Sequence, residues 1–305
     1  PIGWSNLYMN RHRPTIAILS DHPSRESILR AVLESRSVAC HTINLTGVAD
    51  PEDAAFTAPP NLILNRISAR PAAGDPGMLR RAKDLLDALE ADGRPVVNGS
   101  ACYRIGASKI LQAAVFERAG AETPKTVPLH DPAQLEGGLP LPPPCLLKAN
   151  AGGFGVGIDR IENRGAGVAR QPVEAAFRAD GRAVLQEEIQ PSDPAVYRVE
   201  TLGGSPLYRA RAPMEGDGYN YCLGDRGEGV TLDTGLEPEL ADVIRRIAES
   251  AQLDFGSIEY LRAQPDGRPV FFDINPVSTY LPEAETQLGF SPWDRLADGL
   301  LARIG

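Results

Sequence analysis

The chain has 305 residues, 42% of them hydrophobic, with a formal net charge of −9 and a pI of about 5.1. That length carries a large core spread over two or three lobes, and an acidic balance without any Lys/Arg run excludes the electrostatic footprint of a nucleic-acid binder. No stretch of about 18 apolar residues is present to span a membrane, Pro1–Pro14 lacks the apolar segment of a secretion signal, and the isolated Cys40, Cys102, Cys145 and Cys222 form no C-x-x-C pair, so a cytoplasmic protein with reduced thiols is expected.

Thr15–Leu19 (TIAIL) has the pattern of a buried strand, followed by a loop over Ser20–Ser24 and a helix from about Arg25 to Ser35. Asn61–Leu64 is a second strand closed by Asn65-Arg66. Ala69–Gly77 is loop-like in composition, a helix is predicted over Met78–Ala91, and Pro95–Val97 begins a third strand. Strands alternating with helices predict an α/β lobe with a mostly parallel sheet. Ser108 is an N-cap candidate for a helix running to Gly120, with Ile110, Leu111, Ala114 and Val115 on one face.

Leu139–Pro144 (LPLPPP) is an extended linker. Short β segments follow at Cys145–Lys148, Gly157–Ile161, Ala183–Ile189, Tyr197–Leu202 and Leu207–Arg211. Leu236, Leu240, Val243, Ile244, Ile247 and Ala251 then recur with helical spacing. Gly256–Arg262 and Pro269–Asn275 pair as a hairpin across the Pro265-Asp266-Gly267 turn, and a last helix is expected over Pro292–Ile304.

The hairpin carries the sharpest chemical signal. Side chains alternate along a strand, so Asp273 and Asn275 share a face, and the turn places Glu259 opposite Asp273. Two carboxylates and an amide oxygen converge with no local Lys or Arg in sequence, which calls for a cation, and hard oxygen ligands select Mg²⁺. A solvated polar strand end is the competing reading. The second signal is an apolar strand delivering Lys148, then a glycine-rich turn, Gly152-Gly153-Phe154-Gly155-Val156-Gly157. Glycines let backbone N–H groups approach phosphate oxygens beside a lysine's charge. The lysine precedes the glycines, so this is neither a Walker A loop nor a dinucleotide fingerprint. The third signal is the acidic and amide exit Gln186-Glu187-Glu188-Ile189, before an expected break at Pro191, which alone is best read as a capped strand end.

Taken in order, Ser108-Lys109, Lys148 with its glycine loop, Gln186–Ile189 and Glu259…Asp273-x-Asn275 resemble the ATP-grasp superfamily, most closely its RimK-like and glutathione-synthetase-like branch. The resemblance covers roughly residues 60 to 280 by motif order. It implies an α/β plus α+β fold: an N-terminal parallel-sheet lobe (1–104), a small central lobe (105–184) and a C-terminal lobe (185–305), with the ATP cleft between the last two.

By position, the resemblance implies that Lys109 and Lys148 hold ATP phosphates and that Gly152, Gly153 and Gly155 form a lid loop. Gln186, Glu187, Glu188 and Ile189 line the adenine, Asp193 takes the ribose, and Arg211 stabilises an acyl phosphate with Lys148. Glu259, Asp273 and Asn275 would bind two Mg²⁺, with Mn²⁺ as a substitute. Asp273 stands where the family uses Glu, and Tyr219-Asn220-Tyr221-Cys222 replaces the branch's Arg-x-Asn pattern, which removes the basis for glutamate specificity.

Arg66, Arg198, Tyr219 and Asn220 are the candidates for holding substrate, with a surface salt bridge as the alternative for the two arginines. The implied activity is carboxylate–amine ligation on small-molecule substrates with release of ADP and phosphate. The alternatives are a small-molecule kinase on the same scaffold or a non-catalytic nucleotide-binding protein. Neither nucleic-acid nor membrane partners are expected, and a homo-oligomer is compatible with the sequence.

Overall fold

The computed structural model describes residues 13–46, 60–70, 77–153, 157–163, 169–214 and 229–304. Thr15–Ser20 (β1) is buried at five of its six positions, as an apolar run inside a parallel sheet requires. A 3-10 turn at Pro23–Glu26 leads into α1 (Ser27–Ser35), which sends Leu29 and Leu33 into the core. β2 (Ala39–Asn44), not anticipated from sequence, pairs with β1. β3 (Leu62–Arg66), α2 (Met78–Ala91) and β4 (Val96–Val97) complete a parallel sheet of order β2-β1-β3-β4.

Two helices follow, α3 (Ser100–Gly106) and α4 (Lys109–Arg118), with the Ser108 hydroxyl accepting from Leu111 N at 3.3 Å as N-cap. The inner face of α4 differs from the expected one. Gln112, Val115 and Phe116 are buried, whereas Leu111 is 42% exposed and Ala114 is exposed. A polar residue takes an inner position because the Gln112 amide donates to the carbonyls of Gly106 and Ile274, both at 3.1 Å. Those bonds tie α4 to the end of α3 and to the last strand of the C-terminal sheet.

The central sheet is antiparallel, built from β5 (Thr126–Leu129), β6 (Cys145–Ala149), β7 (Ile158–Ile161) and β8 (Ala183–Glu187) in the order β5-β8-β6-β7. Helix α5 (Arg170–Phe177) adds Ala176 to its core, which also contains Leu129, Cys145, Leu147 and Leu185. The lobe boundary expected between 184 and 185 falls inside β8, all five residues of which belong to this sheet.

The second antiparallel sheet has the order β11-β10-β9-β12-β13: β9 (Pro191–Leu202), β10 (Ser205–Pro213), β11 (Thr231–Asp233), β12 (Phe255–Ala263) and β13 (Arg268–Asn275). Pro191 opens β9 rather than breaking a strand, consistent with proline's tolerance at a strand's first residue. α6 (Pro238–Ala251) lays Leu240, Ile244, Ile247 and Ala251 on one face of this sheet, against Tyr197, Val199, Ile258, Tyr260 and Phe271. The opposite face carries Tyr208, Ala210, Ala212 and Phe255 against Leu29 and Leu33 of α1, and against Trp293 and Leu296 of the last helix, α8 (Pro292–Ala302), which follows the short α7 (Ala284–Leu288).

Candidate functional site

The β12–β13 register sets Glu259 opposite Asp273 and Ser257 opposite Asn275, and β9 sets Arg198 opposite Glu259. Residues directly opposite in an antiparallel pair share a face, so Arg198, Glu259 and Asp273 form a row across three strands. Asn275 Nδ2 donates to Glu259 Oε1 at 3.2 Å, which closes the predicted trio.

The expectation that this patch lacks a basic neighbour is overturned. Arg198 Nη1 donates to Glu259 Oε1 at 3.1 Å, and Lys109 Nζ pairs with Asp273 Oδ1. Both cations come from elements distant in sequence, the middle of β9 and the first residue of α4, so no local motif announced them. Even so, burial and then the Asp273 charge push the Glu259 carboxyl up to about 7, against the opposing pull of Arg198 and Lys109. Among the described residues no group of three or more His, Cys, Asp or Glu is arranged to hold a metal. What is present is two carboxylates and an amide, all hard oxygen donors, with a buried Glu259 carboxylate whose ionised form a divalent cation would stabilise. This set fits Mg²⁺.

Across from this row stands Lys148 on β6. Its Nζ donates to Gln186 Oε1 of the adjacent β8 at 2.7 Å, and Gln186 Nε2 in turn donates to Thr126 Oγ1 at 2.9 Å. Burial and then the neighbouring Lys109 lower the Lys148 ammonium to about 7, while Asp273 opposes the fall. The two sheets therefore meet at Lys148, Lys109 and Asp273.

Asn150, which the sequence did not single out, sets this meeting. Its Oδ1 accepts from Ser108 Oγ at 2.8 Å and from Ile110 N at 3.1 Å, and its carbonyl accepts from Lys109 N at 3.0 Å. The end of β6 is thereby stapled to the start of α4, and the two lysines are held side by side.

Glu187 ends β8 with its side chain exposed, its Oε2 accepting from Lys125 N at 3.1 Å, and Glu188 pairs with Arg160 at 2.8 Å. Ile189 follows, half-buried, in the link to β9. Gly152 and Gly153 lie just beyond β6, where a Cβ on Gly153 would come within 3.2 Å of Arg70 Cδ. Gly155, Tyr219 and Asn220, together with Tyr221 and Cys222, lie outside the described residues.

Three assignments are not supported by the geometry. Arg211 sits opposite Tyr197, so its side chain is on the α6 face, away from Arg198 and Glu259. There it forms a two-pronged pair with Asp193 (3.0 and 2.7 Å), and Asp193 also accepts from the Tyr197 hydroxyl. The proposed acyl-phosphate arginine and the proposed ribose carboxylate thus neutralise each other. Arg66, the third, is fully buried rather than offered to a substrate. Its Nε donates to the equally buried Glu26 at 2.8 Å, its Nη1 donates to the Ser278 carbonyl, and the guanidinium lies over the rings of Phe255 (5.8 Å) and Trp293 (5.7 Å). Arg198, the other arginine candidate, is the one that reaches the carboxylate row.

Sequence reasoning also passed over Glu200 and Ser278, and it noted Asn98 only within Val97-Asn98-Gly99, a loop similar to one in the family the chain resembles, without giving it a role. Asn98, at φ 20°, donates through Nδ2 to the carbonyls of Phe255 (2.6 Å) and Pro276, and accepts from Asp254 N at 3.0 Å, joining the first lobe to the start of β12 and the end of β13.

No protein-family model matches the chain, and no curated protein matches it in sequence. Among solved structures the likeness runs the whole length. The RimK domain ATP-grasp protein from Sphaerobacter thermophilus is 19% identical over 94% of this chain and 99% of its own, with a TM-score of 0.67. The ATP-grasp ligase PsnB, complexed with precursor peptide PsnA2 and AMPPNP, is 15% identical over 96% and 98%, with a TM-score of 0.62. D-alanine–D-alanine ligase from Bacillus anthracis is 14% identical over 95% and 97%, with a TM-score of 0.63. PsnB has also been solved with a minimal precursor, Mg and ADP. The chain has the ATP-grasp fold.

Proposed function

We propose that this ATP-grasp chain is an ATP-dependent carboxylate–amine ligase that works through an acyl phosphate. The observation that carries the reading is the convergence of Lys109, Lys148 and Gln186 with Arg198, Glu259, Asp273 and Asn275 where the two antiparallel sheets meet. The cleft lies between the central and C-terminal lobes, with the proposed division 1–104, 105–184 and 185–305 shifted at its second boundary to the end of β8 at Glu187. The adenine lies along the β8 exit, Gln186 to Ile189, and the triphosphate runs past Lys148 and Lys109. Gly152, Gly153 and Gly155 belong to the loop that closes over it.

Glu259, Asp273 and Asn275 would hold Mg²⁺, two ions in the full reading and replaceable by Mn²⁺, which supplies neutralisation of phosphate charge. A carboxylate oxygen of the substrate attacks the γ-phosphorus, the bond to the β-phosphate oxygen breaks and ADP leaves. The amine nitrogen then attacks the acyl carbon, phosphate departs with the C–O bonding pair, and the amide nitrogen loses its proton. Lys148 takes up a proton as the phosphates approach, because an anion beside it restores the charged form that burial disfavours. Arg198, held on the carboxylate row, is the arginine in place to meet charge developing on the transferring group. It takes the part first assigned to Arg211.

Small-molecule carboxylate and amine substrates acting in the cytoplasm are the leading reading. A peptide-borne carboxylate is the second, favoured by the likeness to a ligase solved with its precursor peptide. The test is a screen for ADP and phosphate release over amino acids, small carboxylic acids and acidic peptides, with hydroxylamine in place of the amine. A hydroxamate together with ADP supports the ligase, a stable phosphorylated product makes the chain a kinase, and AMP as the nucleotide product overturns the mechanism.

A further inference from the structure

A continuous line of buried hydrogen bonds runs from the first lobe to Glu259. Glu26, held by the Ser20 hydroxyl at 2.9 Å, accepts from Arg66 Nε at 2.8 Å. Arg66 Nη1 donates to the backbone carbonyl of Ser278. The Ser278 hydroxyl donates to Glu200 Oε2 and accepts from Arg198 Nη2 at 2.8 Å. Arg198 closes the line with Nε on Glu200 Oε1 at 2.7 Å and Nη1 on Glu259 Oε1 at 3.1 Å. Glu26, Arg66, Glu200 and Ser278 are each no more than 2% exposed.

The central member is the Ser278 hydroxyl. Its one oxygen donates to a carboxylate and accepts from a guanidinium, which an alkyl group of the same size cannot do. Serine also has the small side chain that leaves its own carbonyl within reach of Arg66. Arg198 is consequently gripped at three nitrogens by three partners, and only one of the three, Glu259, belongs to the proposed metal set. Without the Ser278 contact Nη2 is released, and the guanidinium, still hinged at Nε on Glu200, is free to turn both Nη1 and Nη2 onto Glu259 and compete with a cation for that carboxylate.

We propose that Ser278, backed by Arg66 and paired with Glu200, is a positioning residue for the reactive end of the cleft. It holds Arg198 in a fixed, single-pronged contact with Glu259, so that the first lobe sets the geometry at the metal carboxylate. This rests on the reading of Glu259 as a metal ligand.

The test is Mn²⁺ binding followed by electron paramagnetic resonance, with AMPPNP present, on the full chain. Ser278→Ala is expected to weaken Mn²⁺ binding about tenfold, the scale of one hydrogen bond to a charged group. Ser278→Thr, which keeps the hydroxyl, should restore most of that loss. In an Arg198→Met background Ser278→Ala should have no further effect, because the competing guanidinium is gone. Metal-free AMPPNP binding, read by calorimetry, should stay within about twofold, which a merely structural loss would not permit. Equal Mn²⁺ affinity in the wild type, Ser278→Ala and Ser278→Thr overturns the positioning role while leaving the metal site standing. The same loss from Ser278→Ala with and without Arg198 also overturns it. Failure of the wild type to bind Mn²⁺ overturns the metal reading itself.

Discussion

Glu259→Gln should make the metal-free protein more stable at alkaline pH, and the structure sets how much. The wild-type carboxyl is driven from its ordinary 4.5 to about 7 by burial and by Asp273, with Arg198 and Lys109 pulling the other way. Each tenfold in proton affinity is worth ~1.4 kcal/mol, so the ionised form costs the folded state ~3 kcal/mol.

The sign follows from which state holds the proton. Below pH 4.5 both states are protonated and nothing is lost. As pH rises from 4.5 to about 7 the unfolded chain ionises first, so stability falls, and the full loss stands above that window. Glutamine copies the protonated carboxyl and keeps an oxygen for Asn275 Nδ2 and Arg198 Nη1, so it escapes this loss.

Urea unfolding in chelator should therefore show the variant gaining on the wild type by roughly 2 to 3 kcal/mol between about pH 5 and pH 8.5. Adding Mg²⁺ on top of saturating ADP should then stabilise the wild type further at the alkaline end and give the variant no further gain. Parallel pH–stability curves for the two proteins would refute the claim that Glu259 is held as a frustrated carboxylate awaiting a cation.

The remaining predictions concern other members of the site. AMPPNP binding near pH 8 should take up a proton at Lys148, visible as a calorimetric heat that scales with buffer ionisation enthalpy and is absent in Lys148→Met. Arg198→Ala should lower kcat about 100-fold, whereas Arg211→Ala, which loses only a partly exposed pair with Asp193, should stay within about threefold. Arg66→Met should cost ~3 kcal/mol in urea unfolding because it strands the buried charge of Glu26, and Glu26→Gln in the same chain should recover part of it. Gly256→Ala should destabilise by ~2 kcal/mol and weaken Mn²⁺ binding, since at φ 150° a Cβ would stand 2.2 Å from the Asn275 carbonyl oxygen.

The amino-acid sequence alone determined the elements whose signal is local. β1 and α2 follow from apolar runs and helical spacing, the β12–β13 hairpin follows from its turn residues, and alternation along that hairpin already put Glu259 opposite Asp273. The order of lysine, glycine loop, strand exit and acidic trio was likewise legible, because each is a short motif on one element. Weakly patterned or short segments were not. β2 mixes Cys, His and Thr with its apolar residues and is held by pairing with β1, and α3 has only two turns.

What only the tertiary structure decided was which charges face each other. In a five-stranded antiparallel sheet, a single residue's step along β9 or β10 moves a side chain to the other face. Arg198 therefore reaches Glu259 while Arg211, an equally good arginine by sequence, is turned onto Asp193 on the other face of the sheet. Arg66 looked like a substrate arm until packing enclosed it with Glu26, Phe255 and Trp293. Ser278 has no pattern of its own. It matters because Arg66 on β3, Arg198 and Glu200 on β9 and, through Arg198, Glu259 on β12 are linked at it, and a Coulomb or hydrogen-bond partner is set by distance in space, which no spacing along the chain encodes.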